Sequence, residues 1–208
     1  MPKNFENLCN FDSEFNGIIA GVDEVGIGPW AGPVVAAAII LDKNKLQTLD
    51  EVDDSKKIPE KKREQLFDII ISASISYAIE EVNNTIIDKI NILEASHMAM
   101  RKAVARLVPS PDIVLVDGRN NPGINGIRVE VIKGGDAKSM SIAAASVIAK
   151  VYRDNIMRKQ DKIYPQYGFA KHKGYGTAAH IKALRDNGVC DIHRKSYKPV
   201  KELMNSEY

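Results

Sequence analysis

Apolar residues fall along the chain in runs that two periodicities explain. Residues 17–22 (GIIAGV) and 34–41 (VVAAAIIL) are short, without polar alternation, and predict strands buried on both faces. Gly26, Gly28, Pro29, Gly32 and Pro33 punctuate the loop between them, so the pair reads as a hairpin. Residues 74–82 alternate, with Ile75, Tyr77 and Ile79 on one side, and predict a half-exposed strand. Residues 113–116 (IVLV) and 128–132 predict two more strands. Helical spacing appears elsewhere. Pro59 fits the first turn of a helix to about residue 71, with Leu66, Phe67 and Ile70 on one face. Thr85 predicts the cap of a long helical region to about residue 108, ended by Pro109 and Pro111. A helix is expected from Ser139 to about Lys159, its Ala143, Ala144 and Ala145 small enough to pack close to a sheet. A loop rich in Tyr, Lys and Gly follows, then a helix near residues 177–187. Residues 1–16 are polar and predict no regular element.

A hairpin followed by strands that alternate with helices predicts an α/β fold, a mixed central sheet with helices on its faces. The 208 residues suit one domain with a small terminal appendage. Hydrophobic residues at 44% and charged residues at 27% exclude a disordered chain. The longest apolar run, residues 33–41, is far short of the ~18–20 residues that cross a bilayer, so no membrane partner is expected. The polar N-terminus carries no apolar signal core, and Cys9 and Cys190 lack metal-ligand spacing. A cytoplasmic protein with two reduced thiols is expected.

The net charge of +2 hides an asymmetry. From Lys150 to the C-terminus there are 13 basic and 6 acidic residues, whereas the preceding part is acidic overall. Such a basic part is either a phosphate-attracting patch or a solvated helix face, and a chemical site nearby decides between them.

Acids at the ends of buried strands supply that chemistry. Asp23 and Glu24 follow the first strand, Asp117 follows IVLV, and Asp136 closes the glycine turn before the Ala-rich helix. Open sheets gather their sites at strand ends. Acids converging there repel one another unless protonated or neutralised by cations, and oxygen ligands without Cys or His favour Mg²⁺ or Mn²⁺. Neighbouring strand residues face opposite ways, so Asp23 and Glu24 share a site only if the backbone leaves strand geometry there. Two ions could clamp the attacking and leaving oxygens of a phosphodiester.

The segments GVDEVGIGPWAGPVVAAAIIL (21–41), DSKKIPEKKRE (54–64), VLVDG (114–118), IKGGDAKSMSIAAASVIAKVYRD (132–154) and HKGYGTAAH (172–180) together resemble ribonuclease HII, the type 2 ribonucleases H. The five blocks stand in family order and cover nearly all of the chain from Gly17. The resemblance implies a ribonuclease H-like mixed sheet with helices on both faces and a small C-terminal helical extension. It implies a polar segment 1–16, a catalytic domain 17–165 and a basic substrate-binding extension 166–208. It further implies a monomeric endonuclease acting on RNA–DNA hybrids and on DNA duplexes containing ribonucleotides. Two Mg²⁺ or Mn²⁺ ions would be held by Asp23, Glu24, Asp117 and Asp136, and the products would carry 5′-phosphate and 3′-hydroxyl ends.

The family reads the RNA–DNA junction with a Gly-Arg-Gly loop and a tyrosine. These fall on Gly26, Ile27, Gly28 and Tyr175, with Ile27 where arginine is expected. The glycines still admit close backbone approach, but the forked cationic contact is lost. Ser55 and Lys56 match a segment near the substrate backbone, and Lys173 beside Tyr175 is a second candidate phosphate contact. Asp154 matches a recurrent acid, set against a salt bridge within helix packing. The four histidines, His97, His172, His180 and His193, read as packing or surface residues. Two rival readings remain: a ribonuclease HIII-like enzyme preferring longer RNA tracts, opposed by the short segment before the first strand, and a catalytically silent hybrid-binding protein, opposed by the four intact acids.

Overall fold

The computed structural model describes residues 3–56 and 58–205; Met1, Pro2, Lys57 and residues 206–208, which belong to the expected N-terminal segment, the DSKK turn and the C-terminal extension, lie outside the described residues. Five strands, β1 (Ile19–Val25), β2 (Val34–Leu41), β3 (Ser74–Val82), β4 (Ile113–Asp117) and β5 (Arg128–Ile132), form one sheet in the order β3-β2-β1-β4-β5. β2 runs antiparallel to both neighbours, while β1, β4 and β5 are parallel. The expected hairpin and the parallel crossovers are both present.

All of β2 is buried because helices cover both faces of the sheet. Val35, Ala37 and Ile39 pack with α1 (Lys3–Ser13), α2 (Glu60–Ser72) and α5 (Met140–Ile163). Val34, Ala36 and Ala38 face α3 (Asn84–Ile90) and α4 (Ile92–Ala105). Strand alternation thus divides one apolar run between two cores. Ser139 caps α5 by accepting a hydrogen bond from Ile142 N at 3.2 Å. α5 lies so close to β1 that a Cβ on Gly21 would fall 2.1 Å from the Ser141 carbonyl carbon. Only a glycine allows that approach.

Two expectations are corrected. The N-terminal segment is helical over α1, because Phe5 and Leu8, three positions apart, are buried against α5 and the sheet. The long helix expected from Thr85 is two helices: Asn83 caps α3, accepting from Ile86 N, and Asn91 caps α4, accepting from Glu94 N. Asn91 sits at φ 68, a left-handed backbone that interrupts the helical path.

Beyond α5 come α6 (Phe169–His172), α7 (Ala178–Asn187) and α8 (Lys198–Asn205). Their apolar residues gather in a separate cluster around Tyr167, Phe169 and Leu184, with Ala31 from the hairpin loop and Met157 from α5. Backbone hydrogen bonds join this part to the loop: Trp30 N donates to Gly174 O and Arg194 N to Trp30 O, each at 2.8 Å. Among the described residues, no helix is long and apolar enough to cross a membrane.

Candidate active site

Parallel register brings the acids together. β1 and β4 pair as far as Val22 and Val116, which leaves Asp23 and Asp117 side by side just past the last pair. Asp136 comes from the short turn before α5, where Gly135 N donates to Asp117 Oδ1 at 2.6 Å. Asp23, Asp117 and Asp136 each offer an oxygen within 4.8 Å of the others. Glu24 is placed differently. Asp23 and Glu24 border one cleft without the departure from strand geometry that a shared site was expected to need: both lie within β1, opposite Ala37 and Ala36. Glu24 borders the same cleft without joining that three-acid group. Its Oε2 is buried with no hydrogen-bond partner.

The electrostatics follow from burial. Burial pushes the Asp23 carboxyl well above its usual range, and the Glu24 and Asp117 charges add to it. Burial, then Asp117, pushes Glu24 up to about 7. Asp117 is raised as well, first by burial. Lys56 Nζ, on the turn before α2, lies 3.1 Å from Asp136 Oδ2. Three carboxyls held against their charge, the Asp136 oxygen beside two of them, one oxygen without a donor, and no Cys or His among the cluster are the donor set of a hard divalent cation. Mg²⁺ or Mn²⁺ fits these residues.

Ser146, on α5, escapes the sequence reading. It hydrogen-bonds Asp23, and its Oγ is 2.8 Å from Ser55 Oγ. Ser55 therefore borders the cleft with its hydroxyl turned inward, at 4% exposure. The only trace of Ser146 in the sequence is a hydroxyl among the alanines of the close-packed helix.

Gly26, Ile27 and Gly28 line the cleft on the other side, with Tyr175 across from them. A Cβ on Gly28 would lie 3.6 Å from Tyr175 Cε1. Ile27 is 38% exposed and Tyr175 43%. Two fully buried arginines hold the loop from beneath. Arg194 donates to the carbonyls of Gly26, Ile27 and Gly32. Arg153 donates to those of Ala31, Pro33 and Lys173. Each guanidinium is a fork that satisfies carbonyls no strand partner reaches. Their positions in a basic segment gave no sign of this burial.

The remaining candidates separate. Lys173 is not brought to the cleft: its ammonium pairs with Glu60 Oε1 at 3.2 Å, with its side chain 11% exposed. Asp154 pairs with Lys150 at 2.6 Å and Arg63 at 3.7 Å, the helix-packing salt bridge. His172, His180 and His193 are buried together behind Tyr175.

A family model described as Ribonuclease HII matches residues 20–200. Ribonuclease HII of Endomicrobium trichonymphae is 49% identical over 205 residues, covering 97% of each chain. Ribonuclease HII of Acinetobacter baylyi is 52% identical over 188 residues, 90% of this chain and 98% of that one. The crystal structure of ribonuclease H2 from Pyrococcus horikoshii superposes with a TM-score of 0.77 at 27% identity, covering 90% of this chain and 97% of that one.

Proposed function

Since the chain belongs to the ribonuclease HII family, and is thus an endoribonuclease, we propose that it hydrolyses the RNA strand of RNA–DNA hybrids with Mg²⁺ or Mn²⁺. On this reading it also cuts 5′ of ribonucleotides embedded in duplex DNA, leaving 5′-phosphate and 3′-hydroxyl ends. The observation that carries the reading is the group of Asp23, Asp117 and Asp136 oxygens within 4.8 Å, flanked by the partnerless Glu24 Oε2.

These four residues would hold the ions. Divalent ions there supply positive charge to the attacking and leaving oxygens of the phosphodiester. The chain's own residues do the rest. Ser146 fixes the Asp23 carboxyl through its hydroxyl, and Gly135 N fixes Asp117. Lys56, with a side chain 78% exposed, can turn from Asp136 to a substrate phosphate. Gly26 and Gly28 allow the loop backbone to approach a ribose 2′-hydroxyl, and the Tyr175 ring offers a face for a sugar or base. Residues 166–208, which carry Tyr175, form the substrate-binding extension of the catalytic unit 17–165. The free thiols Cys9 and Cys190 suit action in the reducing cytoplasm.

Cleavage of two duplexes, one with a single ribonucleotide and one with a run of four or more, tests the proposal with each metal. Incision at the single ribonucleotide is expected. Cleavage confined to the long run would assign the ribonuclease HIII-like preference, and binding without cleavage of either would make the protein a hybrid binder.

A further inference from the structure

Two histidines stand behind Tyr175 without reaching the cleft. His180, on α7, and His193 are both 0% exposed. Their Nε2 atoms are 3.0 Å apart, a contact that needs one donor and one acceptor. The ends of the pair decide which is which. The Cys190 backbone N–H meets His193 Nδ1 at 2.9 Å and can only donate, so His193 carries its proton on Nε2. His180 Nε2 therefore accepts, and its proton sits on Nδ1, 3.0 Å from the Tyr175 carbonyl oxygen, which can only accept. The Cys190 thiol also faces His193 Nδ1 at 3.2 Å; burial pushes it up to about 11, so it remains an S–H donor and suits the same tautomer. The Cys190 carbonyl is farther from Nδ1, at 3.3 Å.

The surroundings hold this arrangement. His172 stacks on His180 at 4.5 Å between ring centroids, with its own Nδ1 accepting from Gly174 N and its Nε2 against Tyr167 O. Trp30 and Phe169 flank His180. Burial pushes both His180 and His193 down to about 4, so both rings are neutral. Tyr175 needs such support. It follows Lys173 and Gly174, at φ 52 and 86, in a turn outside any helix or strand. Its carbonyl also accepts from Thr177 N at 2.8 Å.

We infer that His180 and His193 are positioning residues: an uncharged relay from Cys190 N–H through both imidazoles to the Tyr175 carbonyl sets where the tyrosine ring stands over the cleft. The inference rests on the reading of Tyr175 as a substrate contact.

Imidazole ¹⁵N spectra of the full chain test the relay itself. His193 protonated at Nε2 and His180 at Nδ1 are expected; the opposite tautomer in either ring overturns it, whatever the activity. The positioning role is read from affinity for a single-ribonucleotide duplex without divalent ion, and from KM and kcat with Mg²⁺. His180→Leu removes the donor and is expected to weaken affinity and raise KM by about tenfold, with kcat within about twofold. His180→Asn keeps an N–H near the Nδ1 position and is expected to restore both. Equal losses in the two variants, or a fall in kcat at unchanged KM, overturn the proposal. If His180→Leu does not fold, His180→Asn decides alone: a folded variant with lost affinity overturns the role. A wild-type chain that binds the duplex but does not cut it defeats the functional reading, and the affinities still decide the relay. One that neither binds nor cuts removes both.

Discussion

At Asp23 a carboxyl is buried beside Asp117 and near Glu24, an arrangement that costs stability until a cation arrives. Replacing Asp23 or Asp117 by Asn removes part of that repulsion. Each variant is expected to lose cleavage by more than about a hundredfold, yet to melt no lower than wild type without divalent ion; cleavage assays and thermal melts check both halves. Ile27 raises the opposite question, since its exposed side chain brings no charge to the cleft. Ile27→Arg is expected to tighten duplex binding by up to about tenfold with little change in kcat, as steady-state kinetics on a single-ribonucleotide duplex would show. At this scale the acids were legible because each stood where an apolar run stopped. Ser146 was not, because a buried serine and a surface serine read alike in an Ala-rich helix. Glu24 was legible as an acid next to Asp23, but strand alternation alone could not show that both border one cleft.

The elements show where the acids get their rigidity. α5 meets β1 at Gly21, which packs the helix bearing Ser146 directly against the strand bearing Asp23. Gly21→Ala would drive a methyl into the Ser141 backbone and is expected to destabilise the fold by about 3 kcal/mol, measured by urea unfolding. The glycine loop depends instead on donors from Arg153 and Arg194. Arg194→Lys keeps the charge but cannot reach three carbonyls in a fork, and about 2–4 kcal/mol of lost stability is expected in the same measurement. The strands and α5 were readable from their apolar runs. α1 was not, although Phe5, Leu8 and Phe11 stand three positions apart, because so narrow a stripe on a polar segment is a weak signal, and the break at Asn91 has only an asparagine to mark it.

For the molecule as a whole, protons and salt act through separate groups. His180 and His193 titrate near 4 when folded against 6.5 in the free side chain. Their contribution to stability is full above about pH 6.5 and is lost as pH falls through about 4, because the unfolded chain takes up protons the folded one refuses. Glu24 has the opposite sign: raised from 4.5 to about 7, it contributes below pH 4.5 and loses that contribution as pH rises through 7. Cations that hold the acids ionised cancel the second effect. Urea unfolding at pH 5 and pH 8 is therefore expected to show a larger stabilisation by Mg²⁺ at pH 8. Salt distinguishes the lysines. Lys56→Gln should reduce the dependence of log affinity on log salt by about 0.9, while Lys173→Gln should leave it unchanged, since Glu60 already holds that ammonium. The charge count of the basic C-terminal part left a phosphate patch and a solvated face both open, and Arg153 and Arg194 in that count are fully buried and face neither solvent nor substrate.

The division between the sheet cores and the C-terminal cluster has an evolutionary consequence. The acids proposed to hold the metal ride on β1, β4 and the turn before α5, whereas Tyr175 rides on a segment beyond α5 whose apolar cluster is apart from the sheet cores and takes in Ala31, Met157 and Trp30 from outside it. On the proposed function that arrangement is a blade with a detachable gauge: a part that measures the duplex can diverge while the part that severs it stays fixed. The fastening sets the limit on such exchange. A transplanted C-terminal segment must bring Arg194 and present a carbonyl to Arg153, or the two parts no longer share an edge.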